Sequence, residues 1–111
     1  MHISNIFLFF FLLLTMFSCK EEKELELPYE EEKVILILSD MHFAKSAAMI
    51  HKVEERDSMK LIYDAQVFKI HGITKEEYEN LKLILDSDLN RFYEIEKKVH
   101  KHLKSLQNEN N

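Results

Sequence analysis

Three polar side chains in the middle of the sequence are of the types that general acid–base chemistry uses. Asp40 and His42 lie two residues apart, and His71 directly precedes Gly72, the one glycine of the chain. An imidazole within hydrogen-bond distance of a carboxylate can move a proton, so these residues would form a small polar site if the fold brings them together. The structural alternative, which we favour, is that Asp40 braces the turn around Gly72 while His42 stays solvated.

The six histidines lack the spacing of a metal site. His100 and His102 would lie about 200° apart around a helix, so they cannot chelate one ion from a single face. Asp40 and His42 have the same spacing. The sequence contains neither a His-Glu-X-X-His motif nor a cluster of cysteine and histidine. We therefore predict no bound metal and no cofactor.

The one cysteine of the chain, Cys19, has the position that lipid attachment requires. It follows an apolar run from Ile6 to Phe17, and Ser18 supplies the small residue that a cleavage site needs. A helix of this length rises roughly 18 Å, well short of the ~30 Å hydrocarbon core of a bilayer, and so fits a signal peptide. The segment resembles the lipobox of bacterial lipoproteins. We expect cleavage after Ser18 and attachment of fatty chains such as palmitate to Cys19, which would anchor the chain in a membrane.

A charged segment that begins with Lys20, Glu21 and Glu22 follows the cysteine. Such a non-periodic charged run is typical of a solvated, extended tether between a bilayer and a domain. It also resembles the acidic export signal of Bacteroidetes lipoproteins that reach the cell surface. We therefore expect an outer-membrane protein, and both the periplasmic face and the cell surface stay open.

Lysines line the last predicted helix, where Lys97, Lys101 and Lys104 share one face and Lys98 lies beside them. Lysines near a helix C-terminus complement the helix dipole and are usually a solvated face. The functional alternative is contact with anionic lipid head groups, which contributes about 1 kcal/mol per charge near the surface.

Composition narrows the class of protein further. The chain has 15 basic and 20 acidic side chains, a net charge of −5 that arises entirely after residue 18. An acidic surface repels phosphate, so we expect no nucleic-acid partner. One glycine and one proline argue against a turn-rich β fold and against a glycine-rich phosphate loop.

The elements that must position these residues are predicted to be helices. Apolar residues recur at helical spacing, which predicts a first helix from about 29 to 50. A second helix is predicted to be capped by Asp57 or Ser58 and to end at Gly72. The capping box from Thr74 to Glu77 predicts the start of a third helix. The loop at 86–88 caps a fourth helix. The expected inward positions are Val34, Ile37, Leu38, Met41, Ala44 and Ala48, then Leu61, Ile62, Ala65, Phe68 and Ile70, then Tyr78, Leu81, Ile84 and Leu85, and finally Leu89, Phe92, Ile95, Val99, Leu103 and Leu106.

The predicted fold class is therefore all-α, a small four-helix bundle preceded by a cleavable signal-peptide helix and a charged tether. The expected segments are 1–18 for the signal peptide, 19–28 for the lipidated cysteine and tether, 29–106 for the helical domain and 107–111 for a polar tail.

The segment from Lys69 to Tyr78 resembles the central His-Gly-Ile segment of short, uncharacterised Bacteroidetes lipoproteins (the domain of unknown function 4296 family). The helix around 37–44 and the acidic loop at 86–88 also match the pattern of that family. The resemblance implies a helical envelope lipoprotein and carries no assigned activity.

We therefore expect from the sequence a lipid-anchored envelope protein with an envelope protein partner, whose helical domain is a structural or protein-interaction module. The alternative is a binding protein for a small ligand (a lipid, haem or a metal) in a pocket between helices, lined by Tyr63, Phe68, Tyr78, Phe92 and Tyr93. We expect no enzymatic activity, because the sequence contains no nucleophile motif or catalytic motif.

Overall fold

The computed structural model describes residues 2–17 and 26–109, with side chains described at 4–12 and 26–109. Within those ranges the chain is all-helical and contains no strand, which confirms the predicted class. The elements are α1 (His2–Phe17), α2 (Glu31–Met49), a 3₁₀ turn (Val53–Glu55), α3 (Arg56–His71), α4 (Lys75–Ser87) and α5 (Leu89–Glu109).

Helix α1 lies outside the hydrophobic core. Every side chain from 4 to 12 is exposed, and the phenylalanines among them, such as Phe7 at 75%, present most of their surface to solvent. The sequence predicted a helix separate from the helical domain for this segment. No described helix is both long enough and apolar enough to cross a membrane.

Helix α2 is the element on which the rest of the domain packs, since it contacts both α3 and α5. The main apolar cluster joins α2 to α4 and α5, and α4 also packs directly on α5. The buried members of this cluster are Val34, Leu38, Leu81, Leu85, Ile95 and Val99. All six were predicted to face inward.

The start of α2 differs slightly from the prediction. The helix begins at Glu31, two residues after the predicted start, and Pro28 precedes it. The hydroxyl of Tyr29 donates a hydrogen bond to the carboxylate of Glu77 at 3.2 Å, which ties the entering chain to α4. Glu31 and Glu32 then place negative charge in the first turn, where it complements the helix dipole.

The predicted inward face of α3 was largely wrong. Leu61, Ile62 and Ile70 are 65%, 50% and 74% exposed, and Ala65 is exposed as well. The buried residue of this helix is Val67. With Tyr63 and His71 it forms a row at four-residue spacing that faces α2, so polar side chains define the inner face.

The predicted cap of α3 was also wrong. The helix begins at Arg56, one residue before Asp57 and two before Ser58, because the 3₁₀ turn already bends the chain into helical geometry. Asp57 therefore lies in the first turn, and the guanidinium Nε of Arg56 donates a hydrogen bond to the carbonyl oxygen of His51 at 3.1 Å.

The corner between α3 and α4 follows the prediction closely. Gly72 has a φ of 65°, the left-handed conformation that ends α3. The capping box is present: the Glu77 amide donates to the Thr74 hydroxyl at 3.1 Å, and the Thr74 amide donates to the Glu77 carboxylate at 3.1 Å.

Helix α5 begins where the acidic loop predicted. The amide of Arg91 donates a hydrogen bond to the carboxylate of Asp88 at 3.2 Å, which caps the helix. One position of its predicted apolar stripe was wrong, because Leu89 is 72% exposed. It directly follows the cap, in the first turn of the helix.

Candidate functional site

The structure brings together two of the three polar residues that the sequence singled out. The imidazole Nε2 of His71, in the last turn of α3, donates a hydrogen bond to the Oδ2 of Asp40, in the middle of α2, at 2.6 Å. The His71 side chain is 12% exposed and that of Asp40 is 40% exposed. Because a carboxylate only accepts, the contact fixes the Nε2-protonated form of the imidazole.

The position of His71 depends on the turn that follows it. Gly72 ends α3 in the left-handed conformation, and the Ile73 amide donates to the Phe68 carbonyl at 3.0 Å to close the turn. The bond from His71 to Asp40 therefore ties the α3–α4 corner to the middle of α2. This geometry accounts for both side chains through a structural role, and it also holds an oriented imidazole at the edge of the domain.

His42 is not part of this pair. It lies on another side of α2, where its Nε2 is 3.7 Å from the Oε2 of Glu96. The Nε2 of His100 is 3.8 Å from the same oxygen, and the two imidazole rings are 6.0 Å apart. Glu96 and His100 are one turn apart on α5, so their proximity can be predicted from the sequence. The proximity of His42 to Glu96 cannot, because it depends on how α2 packs against α5.

The described residues form no metal site. Across residues 2–17 and 26–109, no group of three or more His, Cys, Asp or Glu side chains is placed to hold a metal ion.

A second polar contact lies at the middle of α3. The Nε2 of His51 and the hydroxyl of Tyr63 are hydrogen-bonded at 2.9 Å, and their rings are 5.9 Å apart. The sequence does not reveal this pair, because His51 lies in the connector after α2 and is 12 positions from Tyr63. The contact joins that connector to the inner face of α3.

The aromatic residues predicted to line one pocket are divided among several places. Tyr78 and Phe92 line a cavity of about 400 Å³ between α2, α4 and α5, and the Phe68 ring packs 5.3 Å from the Tyr78 ring. Tyr63 instead lines a groove between α2 and α3, and Tyr93 is 60% exposed on α5.

The cavity between α2, α4 and α5 has an apolar floor and a charged rim. We call it the α4–α5 cavity. Its floor includes Leu38 and Leu85, and the side chains that carry charge around it are Lys45, Lys60, Lys82, Asp86 and Glu96. Burial, followed by the nearby carboxylates of Asp64 and Glu96, raises the pKa of Tyr78 above its usual value of 10.0. The phenol therefore stays protonated near neutral pH and can donate a hydrogen bond into the cavity.

A second depression, which we call the α2–α3 groove, has a volume of about 260 Å³. It is lined by Phe43 and Ala47 of α2 and by Tyr63, Val67 and Ile70 of α3. Phe43 is 50% exposed and Ile70 is 74% exposed, so the groove is bordered by apolar surface that water covers in the isolated chain.

The lysines of α5 are on the surface, as expected. The ammonium of Lys97 lies 3.7 Å from the Glu94 carboxylate and 4.6 Å from the centre of the Tyr93 ring. Lys98 pairs with Glu31 of α2. Lys101 and Lys104 are exposed.

The residues predicted for lipid attachment and export lie outside the described residues. They are Ser18, Cys19, Lys20, Glu21 and Glu22.

Comparison with known proteins gives no further guide to the site. No protein-family model, no curated protein and no solved structure matches the chain.

Proposed function

We propose that the chain is a bacterial envelope lipoprotein, attached to the outer membrane through fatty chains on Cys19. The observation that supports this most strongly is the apolar surface of α1, where Phe9, Phe10 and Phe11 are each 68–70% exposed. Apolar side chains without protein cover require an apolar environment elsewhere, as a leader has during export. The buried apolar side chains of the described domain fall between Val34 and Val99, so removal of the leader would leave this core intact. The likeness of 69–78 to Bacteroidetes lipoproteins supports the same proposal from sequence alone.

The decisive experiment is to change Cys19→Ala and to follow both membrane fractionation and the intact mass. The wild-type protein should begin at Cys19, carry the added mass of fatty chains and sediment with the outer membrane. The Cys19→Ala protein should lose the lipid mass and stay unprocessed or leave the membrane fraction, whereas the exposed Ser46→Ala control should behave as wild type. A wild-type protein that begins at Met1 with an unmodified thiol would overturn the proposal.

The tethered domain, in this proposal, is a non-enzymatic module that binds another envelope protein. The support is the α2–α3 groove, whose rim carries Phe43 and Ile70, each with at least half of its surface exposed. Contiguous exposed apolar surface of this kind is typical of protein interaction sites. The Asp40–His71 pair lies beside the groove, because Asp40 also lines it, and so helps to fix the relative position of its two walls.

This module can be tested by chemical cross-linking in cells, followed by purification and mass spectrometry. A Phe43→Ser, Ile70→Ser double variant should lose a cross-linked partner that the wild type retains. The matched control is Leu83→Ser, because Leu83 is 68% exposed on α4 and does not line the groove. An unchanged set of partners in the double variant would contradict the assignment of this surface.

A second candidate function is the binding of a small ligand in the α4–α5 cavity. Its volume of about 400 Å³ is within the usual range for small-molecule sites, and Phe92 and Tyr78 provide aromatic walls. Thermal unfolding with envelope lipids, haem and divalent metals tests this function directly. A ligand that binds should raise the Tm in a concentration-dependent manner. The absence of a shift with every one of these ligands would remove the candidate.

A further inference from the structure

Helix α5 has the opposite charge balance to the rest of the chain. It contains five basic side chains and three acidic ones, whereas the whole sequence has 15 basic and 20 acidic. Among the described residues, an excess of basic side chains is thus concentrated on one helix of an acidic protein. A charge distribution of this kind gives the molecule one face that attracts anionic surfaces and others that repel them.

The basic residues of α5 are further concentrated on its outward side. At about 100° per residue, a sector of roughly 120° contains the exposed side chains Leu89, Tyr93, Lys97, Lys101 and Lys104, which we call the α5 outer face. Within the described helix this sector holds no carboxylate. Glu94 lies at one edge, and Glu96 lies at the other, half-buried beside His42.

The outer face combines the two side-chain types that membrane interfaces favour. Tyr93 is 60% exposed and Leu89 is 72% exposed, so the N-terminal part of the face is apolar and aromatic. The ammonium of Lys97 lies 4.6 Å from the centre of the Tyr93 ring, and the remaining lysines follow toward the C-terminus. Tyrosine prefers the head-group level of a bilayer, and lysines contribute binding free energy near anionic lipid.

We propose that the α5 outer face docks onto the anionic lipid surface of the membrane that carries the protein. The inference rests on the proposed anchor at Cys19, which would hold the domain at a high local concentration beside the bilayer. The tether enters the domain beside α5, since Glu31 at the start of α2 pairs with Lys98 of α5. The residues from 20 to 28 can span at most roughly 30 Å, so the tether reaches from the bilayer to this point while α5 lies along the surface. Docking leaves the α2–α3 groove, which lies on other helices, for a protein partner.

The test uses the full-length protein, purified after expression and reconstituted into nanodiscs of either zwitterionic or anionic phospholipid. Nitration of Tyr93 by a water-soluble reagent, measured by peptide mass spectrometry, reports whether the outer face is covered. Nitration should be severalfold slower in anionic than in zwitterionic nanodiscs, and high salt should abolish the difference.

Two triple variants with the same change in charge separate docking from a general effect of charge. The first triple variant is Lys97→Glu, Lys101→Glu, Lys104→Glu, and its Tyr93 should be nitrated at the same rate in both lipids. The three lysines together shift the ratio of docked to undocked protein on the order of a hundredfold. The control Lys52→Glu, Lys69→Glu, Lys75→Glu changes exposed lysines of other elements and should keep the protection. A glutamine version of the first triple should also lose protection, which excludes a fold defect caused by added acid.

The outcomes distinguish this inference from the anchor proposal. Equal nitration of wild-type Tyr93 in both lipids, in protein whose mass includes the fatty chains on Cys19, overturns docking by α5 and leaves the anchor standing. Protein whose intact mass shows no lipid on Cys19 overturns the anchor. Equal protection in both triple variants would show that the lysines of α5 do not carry the contact.

Discussion

The two sides of α2 are held by different kinds of interaction. On one side, α4 and α5 pack through apolar side chains such as Leu81 and Val99, which are completely buried. On the other side, α3 contacts α2 extensively but buries one apolar side chain, Val67, over the whole described helix. The small residues Ala44 and Ala48 let α3 approach closely while little apolar area is buried between them. We refer to these as the apolar side and the polar side of the domain.

The polar side depends on hydrogen bonds in the middle and at the C-terminal end of α3. His71 bonds to Asp40 at 2.6 Å near the C-terminus, and Tyr63, in the middle of the helix, bonds to His51 at 2.9 Å. Hydrogen bonds are directional and fix the register of two helices, but each contributes only about 1 kcal/mol net. Apolar burial has no direction and contributes about 25 cal/mol for each Å². We therefore expect the apolar side to set global stability and α3 to open first in local unfolding.

The largest expected effect comes from the apolar side. Leu81→Ala should lower the free energy of unfolding by about 2–5 kcal/mol, because it leaves a cavity at a fully buried position. Leu83→Ala on the same helix is the matched control, since Leu83 is 68% exposed. Its cost should stay within about 0.5 kcal/mol. Urea unfolding followed by circular dichroism measures both, and equal costs would contradict the proposed core.

The next effect concerns the polar side. Asp40→Ala removes the acceptor of a largely buried imidazole, so it should cost about 1–3 kcal/mol. The comparison of the two sides makes a sharper prediction: amide hydrogen exchange should accelerate in α3 more than in α5. Asp86→Ala, which removes an exposed carboxylate from α4, is the control and should leave both rates unchanged. Uniform acceleration across α3 and α5 would mean that α3 does not open separately.

A smaller effect is expected at the junction of the two sides. Thr74→Ala removes the side-chain oxygen that accepts the Glu77 amide, and loss of an N-cap typically costs about 1 kcal/mol. Thr74→Ser keeps a hydroxyl at the same position and should restore most of this stability. Thermal unfolding of the two variants measures the difference, and identical Tm values would show that the cap contributes nothing.

The smallest effect is a dependence on acid pH. The backbone amide of Thr74, and then the hydroxyl of Tyr29, hold the pKa of Glu77 below its usual value of 4.5. The ionised form is therefore favoured in the folded state. Its stabilising contribution is fully present above the unfolded pKa and is lost as pH falls through the lower, folded value. The stability difference between wild type and Glu77→Gln should shrink below about pH 4.5, as Tm measured from pH 6 to 3 would show. A constant difference over this range would contradict the assignment.

The apolar side could be predicted from the sequence because its signals are local and repeated. Leu81 and Leu85, and likewise Ile95 and Val99, lie one turn apart on their helices, and the capping box specifies where α4 begins. Each of these features depends on residues within four positions of one another, so no knowledge of the tertiary structure is needed.

The polar side could not be predicted in the same way. The apolar residues of α3, such as Ile62 and Ile70, suggested one inner face, but the observed face is selected by partners on α2 and in the connector. The pairing of His71 with Asp40 spans 31 positions, and no spacing rule in α3 reveals it. The same reasoning applies to His42, whose partner Glu96 belongs to α5. Sequence periodicity identifies such helices but does not orient them when polar contacts decide the packing.

The φ of 65° at Gly72 determines whether an L- or a D-amino acid suits this position. A Cβ built there as in an L-amino acid meets no heavy atom within 4 Å, so the obstacle to an ordinary side chain is the local backbone conformation and not crowding. A D-amino acid favours this same region of φ, since its conformational map is the mirror image. Chemical synthesis with D-alanine at this corner would therefore restrict the unfolded chain while keeping the φ that the folded chain requires, and a compatible substitution of this kind gains about 0.4–1 kcal/mol.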